Sequence, residues 1–236
     1  MRASGVHKNS FVGLSEWIRG VEIEPSVYAA DFLQLGRQTD ELLAAGARIF
    51  HIDVGDGRFI PPITIGPVVV RALAPVVHAA GGRLDCHLMV DDPERHFEQI
   101  RDAGGDSVTF HVEACADVPA AAALARSLGL GTGLAFNPDT PVERAATLAA
   151  HTDLALCMSV HPGYSGQEFI PESLDRLRRL RELVPAATLV QVDGGIDEST
   201  AGAVHQAGAD LIVAGSGVFY RDDIAEAYRG LVRAAG

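Results

Sequence analysis

The feature that most constrains this fold is a regular alternation of two sequence patterns from residue 21 onward. Eight short runs of β-branched and apolar residues alternate with amphipathic segments in which apolar residues recur at helical spacing. This alternation is typical of βα units, in which successive strands run parallel to one another. The predicted strands cover residues 21–27, 48–54, 83–90, 106–113, 131–137, 154–160, 188–194 and 210–215.

The length of the chain favours a closed barrel over an open sheet. With 236 residues, the chain has the size at which α/β barrels occur as one domain. The dinucleotide-binding pattern G-x-G-x-x-G does not follow the first predicted strand, which argues against a doubly wound sheet. We therefore predict an α/β fold of the (β/α)8 TIM-barrel type, with a single catalytic domain at residues 21–236 and an N-terminal extension at residues 1–20.

Charge and composition exclude several classes of function. The net charge of −12 argues against nucleic acid, because nucleic-acid affinity rests on Lys and Arg contacts to phosphate. No run of about 18 apolar residues is present and the N-terminus lacks the apolar core of a secretory signal, so we expect no membrane partner and a cytoplasmic location. The three cysteines include no C-x-x-C pair, which predicts neither a disulfide framework nor a thiolate zinc site. The only lysine is Lys8, which excludes Schiff-base chemistry in the barrel.

Histidine and aspartate residues recur near the carboxyl ends of the predicted strands, where TIM barrels carry their chemistry. In the stretch "FHIDVGDGRF", His51 and Asp53 are two residues apart, so both side chains point to the same face of the strand. His87 lies in the third predicted strand and Asp193 in the seventh. Burying four ionisable groups together is costly unless they are paired or hold a metal. Nitrogen and oxygen ligands without sulfur favour Zn²⁺, with Mn²⁺, Fe²⁺ and Co²⁺ left open.

Three glycine-rich turns follow the sixth, seventh and eighth predicted strands. They read "HPGYSGQ" at 161–167, "DGGI" at 193–196 and "GSGVF" at 215–219. Backbone N–H groups freed by glycine next to helix N-termini bind phosphate, and TIM barrels commonly place a phosphate site after strands seven and eight. The three turns therefore predict a phosphate site opposite the metal ligands.

Taken in order, the motifs resemble those of the ribulose-phosphate 3-epimerase family over about residues 21–235. They read "EPSVYAADF", "HIDVGDGRFIPPITIGP", "LDCHLMV", "HVEA", "NPDTP", "MSVHPGYSGQEFIP", "VDGGI" and "VAGSGVF". The resemblance implies a TIM barrel of the ribulose-phosphate-binding type.

The same resemblance implies roles for individual residues. His51, Asp53, His87 and Asp193 align with the family's divalent-metal ligands, and Asp53 and Asp193 also align with its catalytic acid and base. Five positions match the substrate and phosphate pocket: Ser26, Met89, Met158, Gly195 and Ser216. Together with His87 and the loop glycines Gly163, Gly166 and Gly217, they are the predicted substrate-binding residues.

The implied reaction is epimerisation at C3 of a ketose phosphate, with D-ribulose 5-phosphate converted to D-xylulose 5-phosphate as the leading case. One aspartate removes the proton α to the ketone, the metal stabilises the enediolate as a Lewis acid, and the other aspartate returns a proton to the opposite face. The resemblance also implies a homo-oligomer and a place in pentose phosphate metabolism.

Some positions depart from the family pattern. Gly55 stands where the family usually has methionine, so we expect a wider pocket at this point. This departure leaves two alternatives open: a 3-epimerase of another sugar phosphate such as D-allulose 6-phosphate, and a barrel that binds a sugar phosphate without catalysis. His111, in the fourth predicted strand, is interpreted as a hydrogen-bonded core residue.

Overall fold

Eight parallel strands form one sheet that curls until its two edges meet. The computed structural model describes residues 13–236. Its strands are β1 Glu22–Pro25, β2 Ile49–Gly55, β3 Arg83–Met89, β4 Ser107–His111, β5 Gly131–Phe136, β6 Leu154–Met158, β7 Leu189–Asp193 and β8 Leu211–Ala214. Each predicted strand is confirmed, with its ends within two residues of the expected ones.

The strand order defines a barrel. Each strand pairs in parallel with its neighbour in sequence from β2 to β8, and β1 pairs with β8. A further parallel bridge between Ser26 and His51 joins the end of β1 to β2. The sheet is thereby nearly closed, and the predicted TIM-barrel fold is confirmed.

Helices cover the outer face of the sheet and account for the continuous apolar character of the strands. All seven residues of β2 are buried, because a parallel strand in a barrel has the core on one face and helices on the other. The helices are α1 Leu35–Ala45, α2 Pro67–Ala79, α3 Phe97–Ala103, α4 Val118–Ser127, α5 Val142–Ala149, α6 Ser173–Leu183, α7 Glu198–Gln206, α8 Ser216–Phe219 and α9 Ile224–Ala235.

The end of the predicted N-terminal extension packs under the barrel. Leu14–Trp17 is a short 3-10 helix, and its Leu14 and Trp17 side chains are 3% and 5% exposed. They join a cluster that includes the first residues of three strands, Ile49, Leu154 and Leu211. Residues 1–12 of the extension lie outside the described residues. The division into an extension and one catalytic domain stays a prediction.

The helices of the barrel are short compared with the thickness of a lipid bilayer. Within residues 13–236, none of them combines the length and the apolar character that crossing a membrane requires.

Candidate active site

Four ionisable side chains converge inside the barrel near the carboxyl ends of the strands. In β2 the two-residue spacing turns His51 and Asp53 inward, and β3 places His87 directly beside Asp53. His87 Nδ1 lies 3.2 Å from Asp53 Oδ1 and 3.7 Å from Asp193 Oδ2, which comes from the end of β7. His51 Nε2 lies 3.4 Å from Asp53 Oδ1. The structure therefore brings together the four residues that the sequence predicted as metal ligands.

The donor atoms of this cluster fit a divalent cation. One nitrogen or oxygen atom from each of His51, Asp53, His87 and Asp193 lies within 4.8 Å of those of the other three. His51 Nε2 is buried and has no hydrogen-bond partner among residues 13–236, and a buried polar atom without a partner is costly. Two imidazole nitrogens and two carboxylates are a ligand set that zinc and other first-row metals accept. The cluster could therefore hold a metal ion.

A second group of buried polar residues holds His51 from below. Asp85 Oδ2 lies 2.9 Å from His51 Nδ1, while Ser107 Oγ donates to Asp85 Oδ1 at 2.5 Å. Gln191 Nε2 donates to both Asp85 and Glu24. A neutral His51 that donates its Nδ1–H to Asp85 presents the lone pair of Nε2 to the cluster. The two-residue spacing of Asp85 and His87 was the available sequence signal for this inward-facing carboxylate.

The two candidate catalytic carboxyl groups have opposite electrostatic environments. Burial alone would raise the pKa of Asp53, but the neighbouring His51 and His87 hold that pKa well below its usual range. Burial, followed by repulsion from Asp53, raises the pKa of Asp193 to about 7. Two carboxylates this close repel each other when both are ionised, and a cation bound between them would remove that repulsion.

A cleft opens above the cluster. It is lined by most of the predicted catalytic and substrate-binding residues, namely Ser26, Asp53, Met89, Met158, Gly163, Gly166, Asp193, Gly195 and Ser216. His51 and His87 lie beneath it with fully buried side chains. Tyr28 and Tyr164 also line the cleft, although the sequence analysis assigned them no role.

The glycine-rich turns meet at one end of this cleft. Gly195 has φ +66, and a Cβ there would lie 2.4 Å from the backbone N of Phe169, so only glycine allows the two loops to approach so closely. Gly217 is not among the residues that line the cleft. A Cβ at Gly217 would lie 2.3 Å from the carbonyl O of Ile196, so this residue sets the packing of α8 against the loop after β7.

The expectation of a wider pocket at Gly55 is wrong. A Cβ on Gly55 would lie 2.5 Å from Ile60 Cδ1 and 3.1 Å from Thr64 Cγ2, so these two side chains fill the space. Thr64 also pins the loop to the strand, because its Oγ1 donates to Asp53 O at 2.6 Å and accepts from Gly55 N at 2.6 Å. The missing side chain at residue 55 is thus compensated from the loop after β2.

His111 and Glu113 were not predicted as site residues. His111 is fully buried, as expected of a core residue, yet its Nε2 lies 2.8 Å from His87 Nε2. Its Nδ1 lies 3.2 Å from Glu113 Oε2. The motif "HVEA" carried both residues, but nothing in its local pattern indicated contact with His87, 24 residues earlier.

Comparison with known proteins gives one consistent family. The profile described as the Ribulose-phosphate 3 epimerase family matches residues 22–219. A protein from Mycobacterium bovis named ribulose-phosphate 3-epimerase is 42% identical over 92% of this chain and 94% of its own length. Proteins of the same name from Synechocystis sp. and Bacillus subtilis are 40% and 38% identical, over 90% and 86% of this chain and 94% of their own lengths.

Solved structures with low sequence identity share the fold. The 3-hexulose-6-phosphate synthase from Salmonella typhimurium superposes with a TM-score of 0.69 at 17% identity, covering 91% of this chain and 98% of that one. Orotidine 5'-phosphate decarboxylase from Pyrococcus horikoshii gives a TM-score of 0.67 at 12% identity, covering 90% and 98%. At these identities the likeness concerns the barrel alone.

Proposed function

The chain belongs to the ribulose-phosphate 3-epimerase family, and from that premise we propose that it interconverts D-ribulose 5-phosphate and D-xylulose 5-phosphate by inverting C3. The observation that carries the proposal is that Asp53 and Asp193 face the same cleft as the glycine-rich turns. A substrate gripped at its phosphate by those turns would extend its carbon chain toward the two carboxyl groups.

The phosphate end of the cleft is proposed to act through backbone dipoles. Gly166, Gly195 and Ser216 line it, and backbone N–H groups in such turns attract anions. Local donors are needed here because the chain carries a net charge of −12, which repels a phosphorylated sugar at long range.

Proton transfer at C3 is assigned to the two aspartates. One carboxylate takes the C3 proton, and the electron pair of the broken C–H bond moves toward the C2 carbonyl to give an enediolate. The other group, as a carboxylic acid, delivers a proton to the opposite face of C3, so the configuration inverts with no change in oxidation state. Ser26 orients the carboxylate of Asp53 for this proton transfer, since its Oγ donates to Asp53 Oδ2 at 2.5 Å.

Buried apolar side chains shield the reacting carbons. Met89 and Met158 line the cleft and are 4% and 1% exposed. Excluding water strengthens electrostatic interactions in the cleft and protects a reactive enediolate. We assign them this shielding role.

The metal is part of the proposal. His51, Asp53, His87 and Asp193 would hold a divalent ion, with Zn²⁺ as the first candidate, and when bound it supplies Lewis acidity that makes the C3 proton easier to remove. The fit rests on His51 Nε2, which has no hydrogen-bond partner in the described part of the chain, and on the closeness of the four donor atoms.

Homo-oligomeric assembly and a cytoplasmic location are proposed from the family resemblance. Exposed apolar side chains on the loops after β1 and β2 support the assembly: Leu33 is 97% exposed, Ile63 82%, and Val68, at the start of α2, 81%. Large contiguous apolar patches on a protein surface commonly mark protein–protein contacts.

The test is a proton NMR time course in D₂O with metal-loaded protein and D-ribulose 5-phosphate. We expect D-xylulose 5-phosphate to appear with deuterium at C3, and Asp193→Asn to abolish both signals. Asp175→Asn is the matched control, because the Asp175 side chain is 87% exposed on α6, and it should leave the rate unchanged.

A parallel reaction with D-allulose 6-phosphate tests the identity of the sugar independently of the type of reaction. If deuterium exchange at C3 occurs only with the six-carbon sugar, the assignment of D-ribulose 5-phosphate is overturned, while the assignment as a 3-epimerase stands. Binding of both sugars without exchange would overturn the catalytic proposal in favour of a binding barrel.

A further inference from the structure

A chain of three side chains runs from His87 of the candidate metal cluster in β3 to the end of β4 and the residues that follow it. His87 Nε2 lies 2.8 Å from His111 Nε2, and His111 Nδ1 lies 3.2 Å from Glu113 Oε2. We propose that Glu113 and His111 are positioning residues that fix the tautomer of His87, so that its Nδ1 lone pair faces Asp53 and Asp193. This inference rests on the metal centre of the proposed function and extends it to residues outside the cluster.

The contact between the two imidazoles can hold only one proton. The ring centroids of His87 and His111 are 5.0 Å apart and their planes differ by 19°, as expected for two rings that meet edge to edge. A neutral imidazole has one N–H donor and one acceptor nitrogen. Whichever ring donates across this contact therefore has its other nitrogen unprotonated, and the ring that accepts has its other nitrogen protonated.

Glu113 decides the direction of donation. An ionised carboxylate only accepts hydrogen bonds, so His111 must carry its proton on Nδ1 to meet Glu113 Oε2. His111 Nε2 is then an acceptor for His87 Nε2–H, and His87 Nδ1 keeps its lone pair. The opposite arrangement would set the lone pair of His111 Nδ1 against the carboxylate and place a proton on the nitrogen that faces Asp53 and Asp193.

Glu113 is held in this role by contacts on its other oxygen. Oε1 accepts from the backbone N of Asn137 at 2.9 Å and from Thr140 Oγ1. Burial alone would raise the pKa of Glu113, but the hydrogen bonds from His111, Thr140 and Asn137 lower it to about 2. The carboxylate is thus ionised at neutral pH although its side chain is only 22% exposed.

Packing fixes the ring of His111 in place. The ring is fully buried and lies against Phe59, with centroids 4.7 Å apart. A ring held on one side by an aromatic side chain and at both nitrogens by polar partners has little freedom to turn. The hydrogen-bond chain therefore transmits the orientation set by Glu113 to His87.

The variant Glu113→Gln should reverse the direction of donation along these hydrogen bonds, because glutamine has almost the same shape as glutamate but carries an NH₂ donor. The amide oxygen is expected to face the Asn137 N–H, since the amide NH₂ there would oppose another donor. The NH₂ group then points to His111 Nδ1, which must become an acceptor. His111 donates through Nε2, and His87 carries its proton on Nδ1, where the metal must compete with it.

The experiment measures zinc affinity by competition with a chelator, without any sugar. Changes to groups that orient metal-binding histidines typically cost about 10- to 100-fold in metal affinity, and we expect a loss of this size for Glu113→Gln. His111→Phe, which removes the acceptor for His87 Nε2–H, should also weaken zinc binding. Equal affinity in wild type and Glu113→Gln would overturn the proposal.

The matched control is Glu94→Gln. Glu94 accepts a weak hydrogen bond from Cys115 Sγ at 3.4 Å. The variant removes one negative charge, as Glu113→Gln does, without changing a contact of His87 or His111. Its zinc affinity should stay within about threefold of wild type. A loss as large as that of Glu113→Gln would mean that net charge alone sets the affinity, which contradicts the positioning role.

A spectroscopic readout separates tautomer control from loss of structure. In zinc-loaded protein labelled with ¹⁵N-histidine, we expect the His111 proton on Nδ1 in wild type and on Nε2 in Glu113→Gln. A wild-type His111 protonated on Nε2 would contradict the proposal. Wild type that binds zinc with the expected tautomers and still turns over no sugar phosphate would refute the proposed function and leave this inference standing.

Discussion

Ser26 Oγ donates a hydrogen bond of 2.5 Å to Asp53 Oδ2, joining the end of β1 to the candidate catalytic carboxylate on β2. The same two strands are bridged at this level through the backbones of Ser26 and His51. Ser26 thus has two roles: its backbone helps to close the barrel, and its hydroxyl orients the carboxylate of Asp53.

Ser26→Ala should lower kcat. A hydrogen bond to a charged group contributes roughly 1.5–3 kcal/mol, which corresponds to roughly a ten- to hundred-fold loss in rate if the orientation of Asp53 matters in the transition state. The measurement is kcat for D-ribulose 5-phosphate, with the exposed Ser127→Ala on α4 as control. An unchanged kcat would show that Asp53 is held well enough by His51 and His87.

Gly55→Met should destabilise the protein, and removal of Ile60 should relieve the effect. The new Cβ would lie 2.5 Å from Ile60 Cδ1, and overpacking of this kind typically costs about 1–3 kcal/mol. We expect that loss in the free energy of unfolding by urea, and we expect the double variant Gly55→Met/Ile60→Ala to recover part of it. Costs that simply add would show that the two positions do not share one space.

Gly217→Ala should raise KM for the phosphorylated substrate by roughly tenfold, a difference of about 1.4 kcal/mol in binding. Its Cβ would lie 2.3 Å from Ile196 O, so α8 must move away from the loop after β7, where the phosphate is proposed to bind. Gly36→Ala is the control, since a Cβ there meets no atom of residues 13–236 within 4 Å. Equal KM values for the two variants would show that the position of α8 does not affect phosphate binding.

Trp17→Ala should lower the free energy of unfolding by about 3–5 kcal/mol, the usual cost of truncating a buried tryptophan, and should leave KM nearly unchanged. Trp17 lies under the barrel with Ile49 and Leu154, at the end away from the cleft. Its buried Nε1 has no hydrogen-bond partner in the part of the chain that the structure describes. Trp17→Phe, which removes that donor, should therefore cost less than Trp17→Ala. A large rise in KM for either variant would contradict a purely structural role.

The order of elements and the inward-facing polar residues could be predicted from the sequence. Apolar runs separated by amphipathic segments define the strands, because burial on both faces of a parallel strand leaves a continuous apolar pattern. The two-residue spacing of His51 and Asp53 gives both the same face, since side chains alternate along a strand. These are local properties of the backbone, so a single sequence carries them.

The tertiary structure alone decided which side chains touch. Ile60 fills the space beside Gly55, His111 links His87 to Glu113, and Leu14 and Trp17 pack beneath the strands. Each contact joins residues whose separation along the chain has no periodic signal. It depends on the stagger of neighbouring strands and on the side-chain rotamers that close packing permits. The sequence by itself therefore determined the barrel and the residues that face its centre, whereas their partners were settled only when the sheet closed and fixed the distances across it.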